Sequence, residues 1–236
     1  MKIDNYFYNE PSTYSYLKKK LNESKKKFFE SLEEKNIDLH SQVKLSSLYA
    51  SRIKIFINNF LKRKKIIFLD CGSGLGFISR ELKKITNYNI YYCDPSKSIK
   101  KIHDQVFPQE KFFRSDIQNL SSFKKKYDII YLREIYCFTR DANFKNQKKL
   151  IKILNNQLNI NGLIIFEQIR NKKDLFFNLA KFNLKYKIIS LLPVKLGRYK
   201  SLNFFFFKSV ILQFLLKIIY QIFNKKINSY ILIYKF

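Results

Sequence analysis

Ile66-Ile67-Phe68-Leu69-Asp70-Cys71-Gly72-Ser73-Gly74-Leu75-Gly76-Phe77 is the stretch on which the fold turns. The chain has five glycines in 236 residues, and three of them fall here. Glycine costs backbone entropy wherever its freedom is not needed, so this cluster marks a turn that needs it. Ile66 to Leu69 is a short apolar run, the pattern of a strand buried on both faces. Phe77-Ile78-Ser79-Arg80-Glu81-Leu82 continues as an amphipathic helix. Strand, glycine turn and helix together let a ligand approach the backbone and meet amide groups at a helix start.

Two nucleotide patterns are excluded. A dinucleotide fingerprint needs its third glycine where Phe77 stands. A phosphate-binding loop needs Gly-Lys-Ser/Thr, which does not follow. The pattern present is D-x-G-x-G-x-G, with Asp70 at the strand end. A carboxylate there repels a pyrophosphate, but it can organise the turn and meet a cationic amino-acid group.

The segments downstream repeat the theme. Asn89 to Cys93 reads as a second strand ending in Asp94-Pro95-Ser96. An acid in that place can accept both hydroxyls of a ribose, and Ser96 can cap the helix from Lys97. Lys111 to Arg114 is a third strand, leading to Ser115-Asp116-Ile117. Tyr127 to Leu132 is a fourth. Asn143 to Asn156 has helical periodicity, and Leu158 to Gly162 reads as a turn with Gly162 left-handed. Leu163 to Glu167 is the fifth strand.

From about Ile66 to Gln168 this succession resembles the class I S-adenosylmethionine-dependent methyltransferases. The resemblance implies an α/β, three-layer Rossmann-like fold. Its sheet is mostly parallel and seven-stranded, with an antiparallel last strand. It implies S-adenosylmethionine as cofactor, contacted by Asp70, Gly72, Ser73, Gly74, Gly76, Asp94, Pro95, Asp116, Ile117 and Arg133. Within that set Asp94 meets the ribose, and Asp116 with the Ile117 amide meets the adenine.

The flanks organise around this core. Residues 1–63 read as an N-terminal helical cover, with Leu45, Leu48, Tyr49, Ile53, Phe56, Ile57, Phe60 and Leu61 at helical spacing. Residues 64–236 form the cofactor domain, interrupted by an apolar helical insertion at about 198–226. In the segment 202–223, Ser209, Gln213, Lys217 and Gln221 make a narrow polar stripe on an otherwise apolar helix. Three dispositions stand open for it: packed on the fold or a partner subunit, lying in a membrane interface, or spanning. A central lysine disfavours spanning. Tyr186 to Leu192 and Ser229 to Tyr234 read as a closing strand pair.

Composition bounds the partners. The net charge is +28, from 46 basic and 18 acidic residues. That favours an anionic surface or nucleic acid, although the abundance of Lys, Asn, Ile, Phe and Tyr beside three alanines also fits an A/T-rich coding bias. From Asn171 onward one acid, Asp174, faces thirteen Lys and Arg. Cys71, Cys93 and Cys137 suit a reducing compartment and have no zinc-ligand spacing. The N-terminus lacks the apolar segment of a secretory signal. The expected location is cytoplasmic, with the inner face of the membrane and a homodimer as alternatives.

Methyl transfer from a sulfonium is chiefly a matter of alignment, with a base needed when the acceptor must lose a proton. The segment after the fourth strand, Arg133-Glu134-Ile135-Tyr136-Cys137-Phe138-Thr139-Arg140, offers Glu134 as base. His40 in the N-terminal region is a second candidate. His103, on the helix after Asp94, is expected to face solvent. The Pro-Pro motif of enzymes that methylate exocyclic base amino groups is absent. The arrangement points to a small or carrier-linked acceptor, such as a sugar or a lipid-linked intermediate of surface polysaccharide synthesis. The alternative is an RNA-binding or RNA-modifying methyltransferase.

Overall fold

The computed structural model describes residues 37–61, 65–139, 143–169, 178, 181–182, 184–191, 215, 218, 222 and 228–234. Expectations for the first 36 residues, for Arg140 and for most of 192–227 lie outside the described residues. The chain divides into two compact units, 1–116 and 117–236.

In the first unit the apolar run becomes strand β1 (Ile67–Cys71), buried from Phe68 onward. Burial on both faces explains why the run is continuous rather than alternating. Helix α2 (Phe77–Ile85), strand β2 (Asn89–Asp94), helix α3 (Lys97–Val106) and strand β3 (Lys111–Arg114) follow. The three strands are parallel in the order β3-β2-β1, with Leu69 opposite Tyr91 and Cys93 opposite Phe113. Parallel neighbours need a crossover, and a helix supplies each one. Upstream, helix α1 (Ile37–Phe60) buries Tyr49, Ile53, Phe56 and Ile57 at the expected spacing. It packs on α2, and Lys54 Nζ donates to Ile85 O at 2.8 Å.

The second unit holds strand β4 (Tyr127–Arg133), a short helix α4 (Tyr136–Thr139), helix α5 (Phe144–Asn156) and strand β5 (Leu158–Ile169). Strands β4 and β5 are parallel. Strands β6 (Tyr186–Leu191) and β7 (Asn228–Tyr234) follow, and β7 lies antiparallel between β5 and β6. Within the βα alternation the three strands of the first unit run parallel to one another, and so do the two of the second, β4 and β5. This is an α/β, Rossmann-like arrangement.

One local expectation needs correction. Gly162 is not left-handed; Asn161 is, with φ 59°. Strand β5 starts at Leu158 and bulges, so that Leu158 pairs with Tyr127 and Leu163 with Ile129. Asn tolerates that backbone better than most residues. Gly162 is needed for room instead: a Cβ there would lie 2.9 Å from Asn159 O and 3.1 Å from Asp128 O. Asn159 Nδ2 donates to Asp128 Oδ1 at 2.9 Å and holds the bulge.

Among the described residues no helix is long and apolar enough to cross a membrane. Leu215, Ile218 and Ile222 are helical, and all three side chains are exposed.

Candidate functional site

The glycine turn closes the C-terminal end of β1. Gly72, Gly74 and Gly76 have φ of 77°, 52° and 69°, left-handed values that side chains resist. The Gly72 and Ser73 amides donate to Cys93 O at 2.7 and 3.0 Å, tying the turn to the end of β2. Gly76 N–H donates to Ser73 O at 2.8 Å. Helix α2 then begins with no side-chain cap.

Asp70 is buried, and its Oδ2 accepts from Ser79 Oγ at 2.5 Å. The strand-end acid thus fastens the first turn of α2 to β1. Asp94 is half-buried, with both carboxylate oxygens at the turn: Oδ2 accepts from Gly74 N–H at 2.9 Å and Oδ1 from Ser96 N–H at 2.9 Å. Ser96 caps α3 as expected, its Oγ accepting from Ile99 N–H at 3.3 Å. Pro95 O accepts from Arg114 Nε at 3.2 Å. Asp116 is half-buried and follows Ser115, whose amide donates to Asp94 O at 3.2 Å. The first unit therefore assembles Asp70, Gly72, Ser73, Gly74, Gly76, Asp94, Pro95 and Asp116 at the C-terminal ends of its strands, where α/β sheets bind ligands. Three left-handed glycines and a half-buried carboxylate bonded into their turn fit S-adenosylmethionine: open backbone for its amino-acid part and an acceptor for its ribose.

In the second unit Ile117 is buried. Glu134 has φ 51°, a backbone strain that tends to gather at functional sites. Its amide donates to Glu167 O at 3.0 Å. Glu167 was not among the expected site residues. Its side chain is buried, accepts from Tyr131 OH, and lies with Oε1 3.9 Å from Arg133 Nε. Glu167 thus holds the backbone of Glu134 and faces the side chain of Arg133. Its only sequence signal is a carboxylate at the end of an apolar strand. His40 lies on α1, and its side chain is outside the described residues.

His103 contradicts expectation. It is 1% exposed, wedged against Tyr92, Phe107 and Phe112 with ring centroids 5.2, 5.7 and 4.3 Å away. Burial, then the cations of Arg80 and Lys100, push its pKa down to about 3. Helical periodicity alone misassigns it because the neutral imidazole behaves here as an aromatic core residue.

Comparison with known proteins agrees with this geometry. Residues 69–166 match the family model described as "Methyltransferase domain". Among curated proteins no significant match exists. The structure of the plantazolicin methyltransferase BpumL with S-adenosylhomocysteine aligns at TM-score 0.57 and 16% identity, covering 97% of each chain. A proposed sarcosine dimethylglycine methyltransferase from Galdieria sulphuraria aligns at TM-score 0.53 and 15% identity, over 86% of this chain and 89% of that one. At such identities the likeness speaks for the fold, and 912 solved chains share it, so it selects no acceptor. The family match runs from within β1 to within β5, so residues 69–166 carry a methyltransferase domain.

Proposed function

We propose that this enzyme methylates a small or carrier-linked acceptor, of the class of sugars or lipid-linked intermediates of cell-surface polysaccharide synthesis. The observation that carries the site assignment is Asp94, whose two carboxylate oxygens lie against the Gly74 and Ser96 amides. When bound, S-adenosylmethionine supplies a methyl group already activated by its sulfonium. In this reading Asp94 and Pro95 hold the ribose, and Gly72, Ser73, Gly74 and Gly76 offer backbone to the amino-acid end. Asp70 keeps their turn in shape, and Asp116 and the Ile117 amide hold the adenine. Arg133 borders the reacting end, and Glu134 takes the proton of an acceptor that must lose one. His40 is the second candidate for that step.

The remaining architecture follows from the same reading. Residues 1–63 cover the site, 64–236 form the cofactor domain, and about 198–226 are its apolar insertion. The seven strands, with β7 antiparallel, are the strand set of the fold. The segment 202–223 rests on an anionic membrane surface at the inner face of the membrane, from a cytoplasmic location, and the protein forms a homodimer. Exposed Leu215, Ile218 and Ile222 support the membrane contact, since their spacing puts them on one helical face.

Titration calorimetry with S-adenosylmethionine and S-adenosylhomocysteine, on wild type and Asp94→Ala, tests the site. Binding that the substitution weakens supports it and leads to an acceptor screen on surface sugars and lipid-linked glycans. A folded wild type that binds neither compound refutes it. The +28 charge favours RNA as a second acceptor class. That reading requires RNA affinity that falls steeply with salt.

A further inference from the structure

Behind the glycine turn lies a buried charged cluster that the proposed reaction does not use. Arg80, in the first turn of α2, is 8% exposed. Its Nε and Nη2 donate to the two oxygens of Glu110 at 3.2 and 2.7 Å. Nη2 also lies 3.0 Å from His103 Nε2. A guanidinium only donates, so Nε2 is the acceptor and the neutral imidazole carries its proton on Nδ1. The guanidinium sits over the Phe107 ring, 3.4 Å from its centroid, with the Tyr92 ring at 5.4 Å.

The remaining nitrogen, Nη1, is buried without a hydrogen-bond partner. It lies beneath Gly76. A Cβ added to Gly76 would stand 3.4 Å from Nη1 and 2.8 Å from Tyr92 Cε1. Arg80 also meets Gly76 through the backbone, its amide donating to Gly76 O at 2.9 Å. From there the chain of bonds runs through Gly76 N–H to Ser73 O, and at the next glycine from Gly74 N–H to Asp94 Oδ2.

We propose that Arg80 is a positioning residue for the cofactor: locked by Glu110 and His103, its guanidinium and the Tyr92 ring form the floor that fixes the glycine turn for S-adenosylmethionine. A buried ion pair is a poor device for stability alone, because desolvation offsets much of its attraction. What the planar fork adds is direction. Two parallel bonds to Glu110 leave the guanidinium one orientation, and that orientation puts Nη1 under Gly76. The inference rests on the glycine turn being the cofactor site.

S-Adenosylhomocysteine titrations on wild type, Arg80→Met, Arg80→Lys and Glu110→Gln, at a temperature where each is folded, test it. The five glycines make 15N-glycine labelling a direct second readout. Arg80→Met is expected to weaken S-adenosylhomocysteine about tenfold, because a turn without its floor must be ordered at the moment of binding. It is also expected to shift the Gly74 and Gly76 amide signals, with Arg80→Lys recovering part of both effects. Should Arg80→Met fail to fold, Glu110→Gln decides by the same readouts. Variants that melt lower but keep wild-type affinity and wild-type glycine signals overturn the proposal. A wild type that does not bind S-adenosylhomocysteine removes the cofactor reading itself, a distinguishable failure.

Discussion

The Gly74 amide donates to Asp94 Oδ2 at 2.9 Å, joining the turn after β1 to the end of β2 across 20 residues of sequence. One carboxylate oxygen thereby shapes the turn, while the other accepts from Ser96 at the start of α3. A residue read as a ribose acceptor is also part of what holds the site open. Asp94→Asn keeps the size but leaves one acceptor oxygen for two amide donors, so one bond is lost and the other becomes neutral. It is expected to weaken S-adenosylhomocysteine by about 10–100-fold, the range of a lost charged hydrogen bond, with little change in the circular dichroism spectrum. Calorimetry reads the first and spectroscopy the second.

Gly76→Ala meets two obstacles. Its φ of 69° is left-handed, costing about 1–2 kcal/mol for a side chain. Its new Cβ would stand 2.8 Å from Tyr92 Cε1, and overpacking adds about 1–3 kcal/mol. Urea unfolding is expected to show a loss of about 2–5 kcal/mol, their sum. A loss under 1 kcal/mol would mean that Tyr92 has room to move.

His103 predicts acid lability. Its folded pKa is lowered to about 3 from 6.5, by burial first and by Arg80 and Lys100 next. The unfolded chain therefore binds the proton more readily. The stabilisation from keeping His103 neutral is complete above pH 6.5 and is lost as pH falls toward 3. The expected slope is about 1.4 kcal/mol per pH unit within that window. Urea titrations between pH 7 and 4.5 measure it, and His103→Phe is expected to reduce the slope by about one proton's worth. An unchanged slope in that variant would assign the lability to other groups.

Glu167→Gln tests the support of the segment after β4. The buried carboxylate accepts from Tyr131 OH and faces Arg133. Losing its charge is expected to cost about 1–3 kcal/mol of stability. Methyl transfer, once an acceptor is found, is expected to fall as Arg133 loses its anionic partner, while the bond from the Glu134 amide to the Glu167 main-chain oxygen stays in place. Urea melts and turnover assays separate the two effects.

The apolar stripe of Leu215, Ile218 and Ile222 is exposed. If it rests on a membrane, the protein sediments with anionic vesicles, and replacing Leu215 and Ile222 by Ser abolishes the effect. Equal sedimentation of both proteins would move the contact elsewhere.

What the sequence by itself determined is local. A strand, a turn and a helix within twelve residues announce themselves through glycine and apolar run, because each depends on neighbours a few positions away. The Asp94 position and the Ser96 cap were legible for the same reason, since a cap bonds within three residues. Tertiary structure decided the rest. Arg80, Glu110 and His103 are separated by up to 30 positions, and only the folded chain brings α2 to His103 on α3 and to Glu110 just before β3. His103 is buried where helical periodicity expects it exposed, because a polar residue on a surface-type helix can be buried once a cation donates to it. Gly162 departs from its expected left-handed turn because the bulge in β5 places the strain on Asn161 and the steric demand on its neighbour. Glu167 went unnoticed because its role comes from lying across the sheet from Arg133, a pairing set by register and not by any spacing along the chain.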